Sequence, residues 1–291
     1  MKIMVVSPIG GGRASIVPDI IWGIEENGYE VYHFDLKRVV RDRREAMLKI
    51  KDKDLLKEYT IVEFNRSLLK EAAKVKPDLI LDLGPVDGST LKTLREMGIV
   101  TCFWFLEDGF SPQYSYWKDV ARLYDFFFTF QPGRFLDALR DYGVRNPIYL
   151  PAGCNPLIYK KMELTPQEKK LYGSDLSFMG TPDANRKDLL TRLGSFDLKI
   201  WGRGWEGFFE KGEGMKDIIR GRRWIDHQTA VKIYNASKIN LNIHTSTTLR
   251  DYANQKLFAI AGCCGFQLVD RREAIPELFE IDKEMVVFEN L

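Results

Sequence analysis

The chain has no long apolar run, no strong excess of one charge and no cysteine framework. Its first hydrophobic stretch, residues 3–6, is far too short for the core of a signal peptide, and no later stretch approaches the length of a membrane-spanning helix. The expectation is a cytoplasmic protein with no membrane span. A formal net charge of +2 on 291 residues lacks the basic excess with which a nucleic-acid-binding protein meets phosphate backbones, so no nucleic-acid partner is expected. Cys102, Cys154, Cys263 and Cys264 show no Cys-x-x-Cys spacing, which argues against a zinc site or disulfide scaffold. Asp52-Lys53-Asp54 has the Asp-x-Asp spacing of metal-dependent transferases, but it lies in the mixed-charge stretch 37–57 and not after a strand. No metal site is expected.

What is present is a globular balance, 45% hydrophobic and 29% charged, in a chain long enough for two ordinary cores. Strand-like runs at 2–6, 30–34, 78–83, 99–105, 126–130 and 148–150 alternate with helical stretches, the pattern of a parallel α/β sheet. Consecutive apolar residues at 102–105 and 126–128 fit strands covered on both faces. Thr60 with Glu63 has the capping-box spacing ahead of Phe64 and Leu68. Periodicity lapses over 151–173, where Thr165-Pro166-Gln167-Glu168 reads as a short helix start. A second series follows, with strands at 175–179, 197–201, 238–243, 266–269 and 285–288. The expected organisation is two Rossmann-like parallel-sheet domains, 1–158 and 159–291, facing a cleft at their strand carboxyl ends.

Residues 254–270, NQKLFAIAGCCGFQLVD, combine a helix, a small-residue turn and an apolar strand. This segment resembles the donor-site helix of CgeB-like glycosyltransferases, a spore-maturation and glycan-modification family with the two-domain GT-B fold. The family form has Asn-x-Arg-x-Phe-Glu; this chain has Asn254, Lys256, Phe258 and then Ala259 in place of the glutamate. Residues 174–205, 230–244 and 150–156 are similar to further family segments in the same order. The resemblance implies a GT-B fold and transfer of a sugar from a nucleotide diphosphate donor, with no obligate cofactor or metal. The acceptor it implies is a glycan, a protein or a small molecule. It also implies retention and a hexosyl-type transfer, and at Ala259 the loss of a carboxylate that would hold the donor ribose. The chain ends just after the 285–288 strand, so the helices that GT-B proteins add there are expected to be absent.

The residues themselves suit that chemistry. A diphosphate needs cations or backbone amides, and Lys256 and Arg186, which follows the Gly180-Thr181 turn, are candidates, as are Gly11 and Gly12 in the loop after the first strand and Arg223 in the basic run 220–223. Trp224 and Ile225 could seat a base, and Asn254 and Thr245 stand beside the same segment ends. Glu107, Asp108 and His244 are the catalytic candidates, because each follows a strand where a carboxylate or imidazole can meet a hydroxyl. Each position also has a structural alternative: surface cations, a packing tryptophan, a hydrogen-bonding histidine, a Glu-Asp-Gly turn. At the level of the whole chain the alternatives to a transferase are a degenerate nucleotide-, glycan- or partner-binding protein and a GT-B-like sugar epimerase.

Overall fold

The computed structural model describes all residues except 8–15, 85, 210–217, 222–223, 246–250 and 290–291. The chain divides into two compact units, Met1–Pro151 and Ala152–Leu291. In the first, the elements run β1 (Lys2–Ser7), α1 (Val17–Glu26), β2 (Glu30–Asp35), α2 (Leu36–Asp42), α3 (Arg44–Leu48), α4 (Lys53–Val75), β3 (Leu79–Asp82), α5 (Gly88–Glu96), β4 (Val100–Phe105), α6 (Trp117–Val120), β5 (Phe126–Thr129), α7 (Arg134–Asp141) and β6 (Pro147–Tyr149). The second holds α8 (Pro166–Tyr172), β7 (Leu176–Met179), α9 (Ala184–Arg192), β8 (Leu198–Trp201), α10 (His227–Ala236), β9 (Ile239–Asn242), α11 (Gln255–Gly262), β10 (Gln267–Asp270), α12 (Ile275–Leu278) and β11 (Val286–Phe288). Among the described residues no helix is long and apolar enough to cross a membrane.

Each unit carries one sheet, ordered β2-β1-β3-β4-β5-β6 and β11-β10-β9-β7-β8, and every strand pairing in both is parallel. Each sheet therefore reverses its winding once, between β1 and β3 in the first and between β7 and β9 in the second. At such a switch point the connections leave in opposite directions and open a crevice at the strand carboxyl ends. The strands arise where apolar and β-branched residues cluster. In β4 Phe103 and Phe105 are fully buried, and Phe103 stacks on Tyr124 while meeting Phe127 edge-on.

Two local readings of the sequence meet the structure differently. The Thr165 box forms: Thr165 Oγ1 accepts from the Glu168 amide while Glu168 accepts from the Thr165 amide, and Pro166 opens α8. The Thr60 box does not. Thr60 lies inside the 23-residue α4, whose cap is Asp52, and its hydroxyl donates back to the Leu56 carbonyl at 2.6 Å. Glu63 is buried and takes Arg43 and Arg66, each at 2.6 Å. The capping role of Asp52, which accepts from the amides of Asp54 and Leu55, accounts for the Asp-x-Asp spacing. The irregular stretch after Pro151 packs into the second unit, where Cys154 and Ile158 lie against a cluster containing the buried Tyr159, so the compact units part ahead of the expected division at 158.

At the end of β3 Asp82 is enclosed by the first core, hydrogen-bonded by the Tyr124 hydroxyl and by the Gly84 amide at 3.0 Å. Burial pushes its carboxyl up to about 7 against the pull of those two bonds. The folded state then holds this proton more tightly than the unfolded chain, so stability is highest in acid and falls as pH rises toward 7. Asp82→Asn keeps Oδ1 as acceptor for the Gly84 amide, lets the Tyr124 hydroxyl accept from Nδ2 and removes the titration. The variant should gain roughly 2–3 kcal/mol relative to the parent between pH 5 and pH 8, read from urea unfolding at both pH values; a constant difference would contradict the buried-acid assignment.

Candidate functional site

The second unit's switch point is built from the carboxyl ends of β7, β9 and β10. Arg186, in the first turn of α9, is buried. Its Nε and Nη2 donate to the Ile243 carbonyl at 3.1 and 2.7 Å, and its Nη1 donates to the Thr181 carbonyl at 2.9 Å. One guanidinium thus spans the chain leaving β7 and the chain leaving β9. Asp183 caps α9 by accepting from the Arg186 amide at 3.0 Å and pairs with its Nε at 3.3 Å.

Lys256, on the first turn of α11, sends its ammonium group to the Met179 carbonyl at 2.7 Å, with Nζ 5.5 Å from the Phe178 ring centre. The residue keeps some surface while the ammonium itself is enclosed. That burial, together with the charge of Arg186 and against the pull of Asp270, brings its pKa down to about 7. The lysine therefore changes charge near neutrality.

His244 follows β9 and is 1% exposed. Its Nδ1 lies 2.7 Å from Asp270 Oδ1, and Nε2 accepts from the Asn254 amide at 3.0 Å. Because Nε2 accepts, the ring proton sits on Nδ1, and burial keeps the ring neutral by lowering its pKa to about 4. Burial alone would raise Asp270, but the His244 bond and the charge of Arg272 outweigh it and hold the carboxyl below its usual value. Asn254 caps α11 through the Leu257 amide at 3.1 Å and exchanges amide bonds with Asn242 at 2.9 and 3.2 Å. Three cations, Arg186, Lys256 and Arg272, thus gather with two carboxylates, Asp183 and Asp270. With the imidazole neutral, the cluster keeps one positive charge whenever Lys256 is protonated.

Glycine lets the strand ends close on each other. Gly202, after β8, has φ +135°, and a Cβ there would lie 2.4 Å from the Gly180 carbonyl oxygen, which also accepts from Trp205 Nε1 at 2.7 Å. Beside this turn Trp224 is 64% exposed, with the Arg203 guanidinium 4.5 Å from its ring centre. Ile225 packs against the apolar cluster that includes Met179. Thr245 is exposed, its hydroxyl 3.4 Å from that of Tyr252, whose ring meets His244 edge-on.

Gly180, Arg186, His244, Asn254 and Lys256 therefore share one connected network, with Ile225 behind it and Trp224 at its exposed side. Glu107 and Asp108 belong to the first unit. Asp108 Oδ1 accepts from the Phe110 amide at 3.0 Å and holds a tight turn, while Glu107 is half-buried. Gly11, Gly12 and Arg223 lie outside the described residues. Asp270, Asn242, Arg203 and Arg272 complete the second-unit site although nothing in the sequence singled them out. The usable signal was positional: Asn242 and Asp270 are the last residues of their strands. Ala259 is 3% exposed and packs with Tyr159, Ala230 and Tyr234, so a glutamate there would meet aromatic and aliphatic neighbours.

A family model described as glycosyl transferase-like matches residues 186–291, a span that contains this cluster from Arg186 onward. No curated protein sequence matches significantly. Among solved structures, the chain is similar to a sucrose-phosphate synthase from Thermosynechococcus elongatus (14% identity, 95% of this chain and 84% of that one, TM-score 0.62). It is similar to Anabaena HepE in complex with UDP (13% identity, 99% and 85%, TM-score 0.59). A lipopolysaccharide outer core galactosyltransferase is similar to the same degree (13% identity, 99% and 86%, TM-score 0.59). The fold is GT-B-like. At these identities the likeness to solved structures is one of fold, and the chemistry has to be argued from the residues.

The loop carrying Glu107 and Asp108 offers a direct structural test. Gly109 is buried between the Gln131 side chain, which accepts its amide at 3.1 Å, and Trp117, which donates to its carbonyl at 3.1 Å. A Cβ at this position would fall 1.9 Å from Cε2 of the fully buried Phe135. Gly109→Ala should cost about 1–3 kcal/mol or more in chemical denaturation, and adding Phe135→Leu should recover part of the loss. Full stability in the single variant would show that the loop packs elsewhere.

Proposed function

We propose that the protein is a CgeB-like glycosyltransferase that binds a nucleoside diphosphate sugar on its second unit and takes a glycan, protein or small-molecule acceptor on its first. The observation that carries this reading is the placement of Lys256 beside Arg186 at the β7/β9 switch point, within the stretch that matches the glycosyl transferase-like model. A diphosphate leaving group gains negative charge as the glycosidic bond breaks, and a preorganised cation in an enclosed setting stabilises that charge far more than water does. Arg186 fixes the strand ends through carbonyls and contributes a permanent charge, and the titrating Lys256 is the group that responds to the ligand. Trp224, exposed and backed by Arg203, supplies a flat face for a base. His244, with both ring nitrogens engaged inside the protein, acts as a positioning group for Asn254 and the start of α11. Transfer is metal-independent and hexosyl-type in this reading, with retention following the family resemblance. Glu107 is the carboxylate offered toward the acceptor hydroxyl, with Asp108 holding its loop.

A second reading, a binding protein of the same fold that does not turn its ligand over, is favoured by two observations. Ala259 presents no carboxylate and lies in an apolar cluster, and one of the three Lys256 ammonium donors is held inside the protein by the Met179 carbonyl.

Calorimetry with UDP and GDP tests the site. An anion beside Lys256 raises its pKa, so a proton is taken up on binding above pH 7 and the affinity should fall by up to about tenfold per pH unit over that range. Lys256→Ala should weaken binding about tenfold or more, whereas Lys256→Arg should retain it and flatten the pH dependence, since arginine does not titrate there. Binding that ignores both substitutions removes Lys256 from the site. Transfer or hydrolysis with a panel of nucleotide sugars then separates the enzyme from the binding protein.

A further inference from the structure

A second recess lies in the first unit, and neither Glu107 nor Asp108 is among its lining residues. It is a cavity of about 750 Å³ between α1 and α2 at the carboxyl ends of β1 and β2. Its walls are Val17, Pro18, Ile21 and Trp22 from α1 with Leu36 and Val40 from α2. Its floor is polar at one point, where Ser7 Oγ and His33 Nε2 are 2.7 Å apart. Cavities of this volume with mainly apolar linings and few polar groups are the usual form of small-molecule sites.

The rim decides what such a molecule must carry. Arg41 and Arg44 line this cavity and also a polar recess of about 580 Å³, so the two spaces adjoin along these two side chains. In the polar recess Glu63 is taken by Arg43 and Arg66, and Arg41 pairs with Asp42. Arg44 and Lys49 have no carboxylate partner within salt-bridge distance among the described residues, and neither does Lys37 at the mouth of the apolar cavity. The acids that face these spaces are Glu25, Asp35, Asp42, Glu45 and Glu63. Of these, Asp35 is turned onto the Lys37 amide as the cap of α2 at 2.7 Å. An apolar trough therefore adjoins a recess whose Arg44 and Lys49 have no carboxylate partner among the described residues.

We propose that this double recess binds an amphiphilic anion, with its hydrocarbon body between α1 and α2 and a phosphate or similar head at Arg44 and Lys49. An aliphatic body is preferred over a nucleoside because five of the six wall residues are aliphatic or proline and the floor offers a single polar pair. The anionic head follows from charge complementarity, since a neutral lipid alcohol would offer Arg44 and Lys49 an acceptor but no opposite charge. If the transferase reading holds, this amphiphile is the acceptor class; that assignment rests on the transferase reading, while binding itself does not.

Calorimetry on the full chain with decyl phosphate below its micelle concentration, without any nucleotide, reads the recess independently of the second unit. Decyl phosphate should bind saturably and at least about tenfold more tightly than inorganic phosphate or decanol, the scale of one charge-assisted contact combined with apolar burial. Arg44→Glu and Val40→Glu both alter exposed residues and leave the core untouched; each should weaken binding about tenfold while UDP binding stays unchanged. Co-sedimentation with phosphatidic acid vesicles, sensitive to the same substitutions, assigns a lipid-layer source, and binding confined to the monomeric probe assigns a soluble one. The proposal is overturned if decyl phosphate binds no better than inorganic phosphate, if neither substitution alters its affinity, or if AMP binds more tightly than decyl phosphate. Loss of UDP binding alone would sink the donor reading and leave this one standing.

Discussion

The second unit depends on how a parallel sheet ends. Past the β7/β9 switch point the two strands have stopped pairing, and the carbonyls of Thr181 and Ile243 that follow them need donors. Arg186 supplies them. Taking a guanidinium out of water costs several kcal/mol, and three bonds to carbonyls, each of the charge-assisted kind worth about 1.5–3 kcal/mol, offset that cost without using up the positive charge. A carboxylate partner would have neutralised the cation; carbonyls leave it available to the field around them. Asp183 pairs with only one edge of the group at 3.3 Å.

The same arrangement explains the neighbouring groups. Burial of the Lys256 ammonium, reinforced by the neighbouring charge of Arg186, outweighs the pull of Asp270 and holds its pKa below the ordinary lysine value. Asp270 in turn is shared between the Arg272 guanidinium and His244, which fixes the imidazole tautomer and, through Nε2, the first amide of the chain entering α11. The helix that presents Lys256 is therefore positioned by the strand ends that Lys256 itself touches. Disturbing one member moves the others, so single substitutions in this cluster should not be expected to add.

Much of this was legible in the chain. The strands emerge because apolar runs bounded by glycine, proline and charged turns are short-range signals, and Thr165-Pro166-Gln167-Glu168 contains its whole capping motif within four residues. Thr60 and Glu63 carry the same spacing, but α4 had already begun at Lys53 under the Asp52 cap, and a motif inside a running helix has no free amides to satisfy. In the site, Arg186 and Lys256 could be picked out because each follows a recognisable turn or helix start. Their partners could not: Arg186 reaches Ile243, and Lys256 reaches Met179, by folding across long stretches of chain that no local pattern records. Ala259 shows the same limit from the other side. Its helix phase placed it near Lys256, and only the packing of Tyr159 and Tyr234 reveals that its surroundings are apolar.

Both sheets reverse their winding after their first two strands, yet the two switch points carry opposite chemistry. In the first unit the residue closing β3 is Asp82, an acid whose proton is retained to about pH 7 because burial leaves its charge with a phenol and one amide as hydrogen-bond donors. In the second the equivalent crevice holds cations that burial discharges only in part. A buried acid without a cation becomes neutral and acts as a hydrogen-bonding element of the core; buried cations that meet carbonyls remain a source of positive potential. The topology creates the same opening twice, and among the described residues at the strand ends it is the second that presents a charge an anion would seek. The anion site we propose for the first unit lies elsewhere, at α2 and α3, where Arg44 and Lys49 remain in contact with solvent and have no carboxylate partner among the described residues.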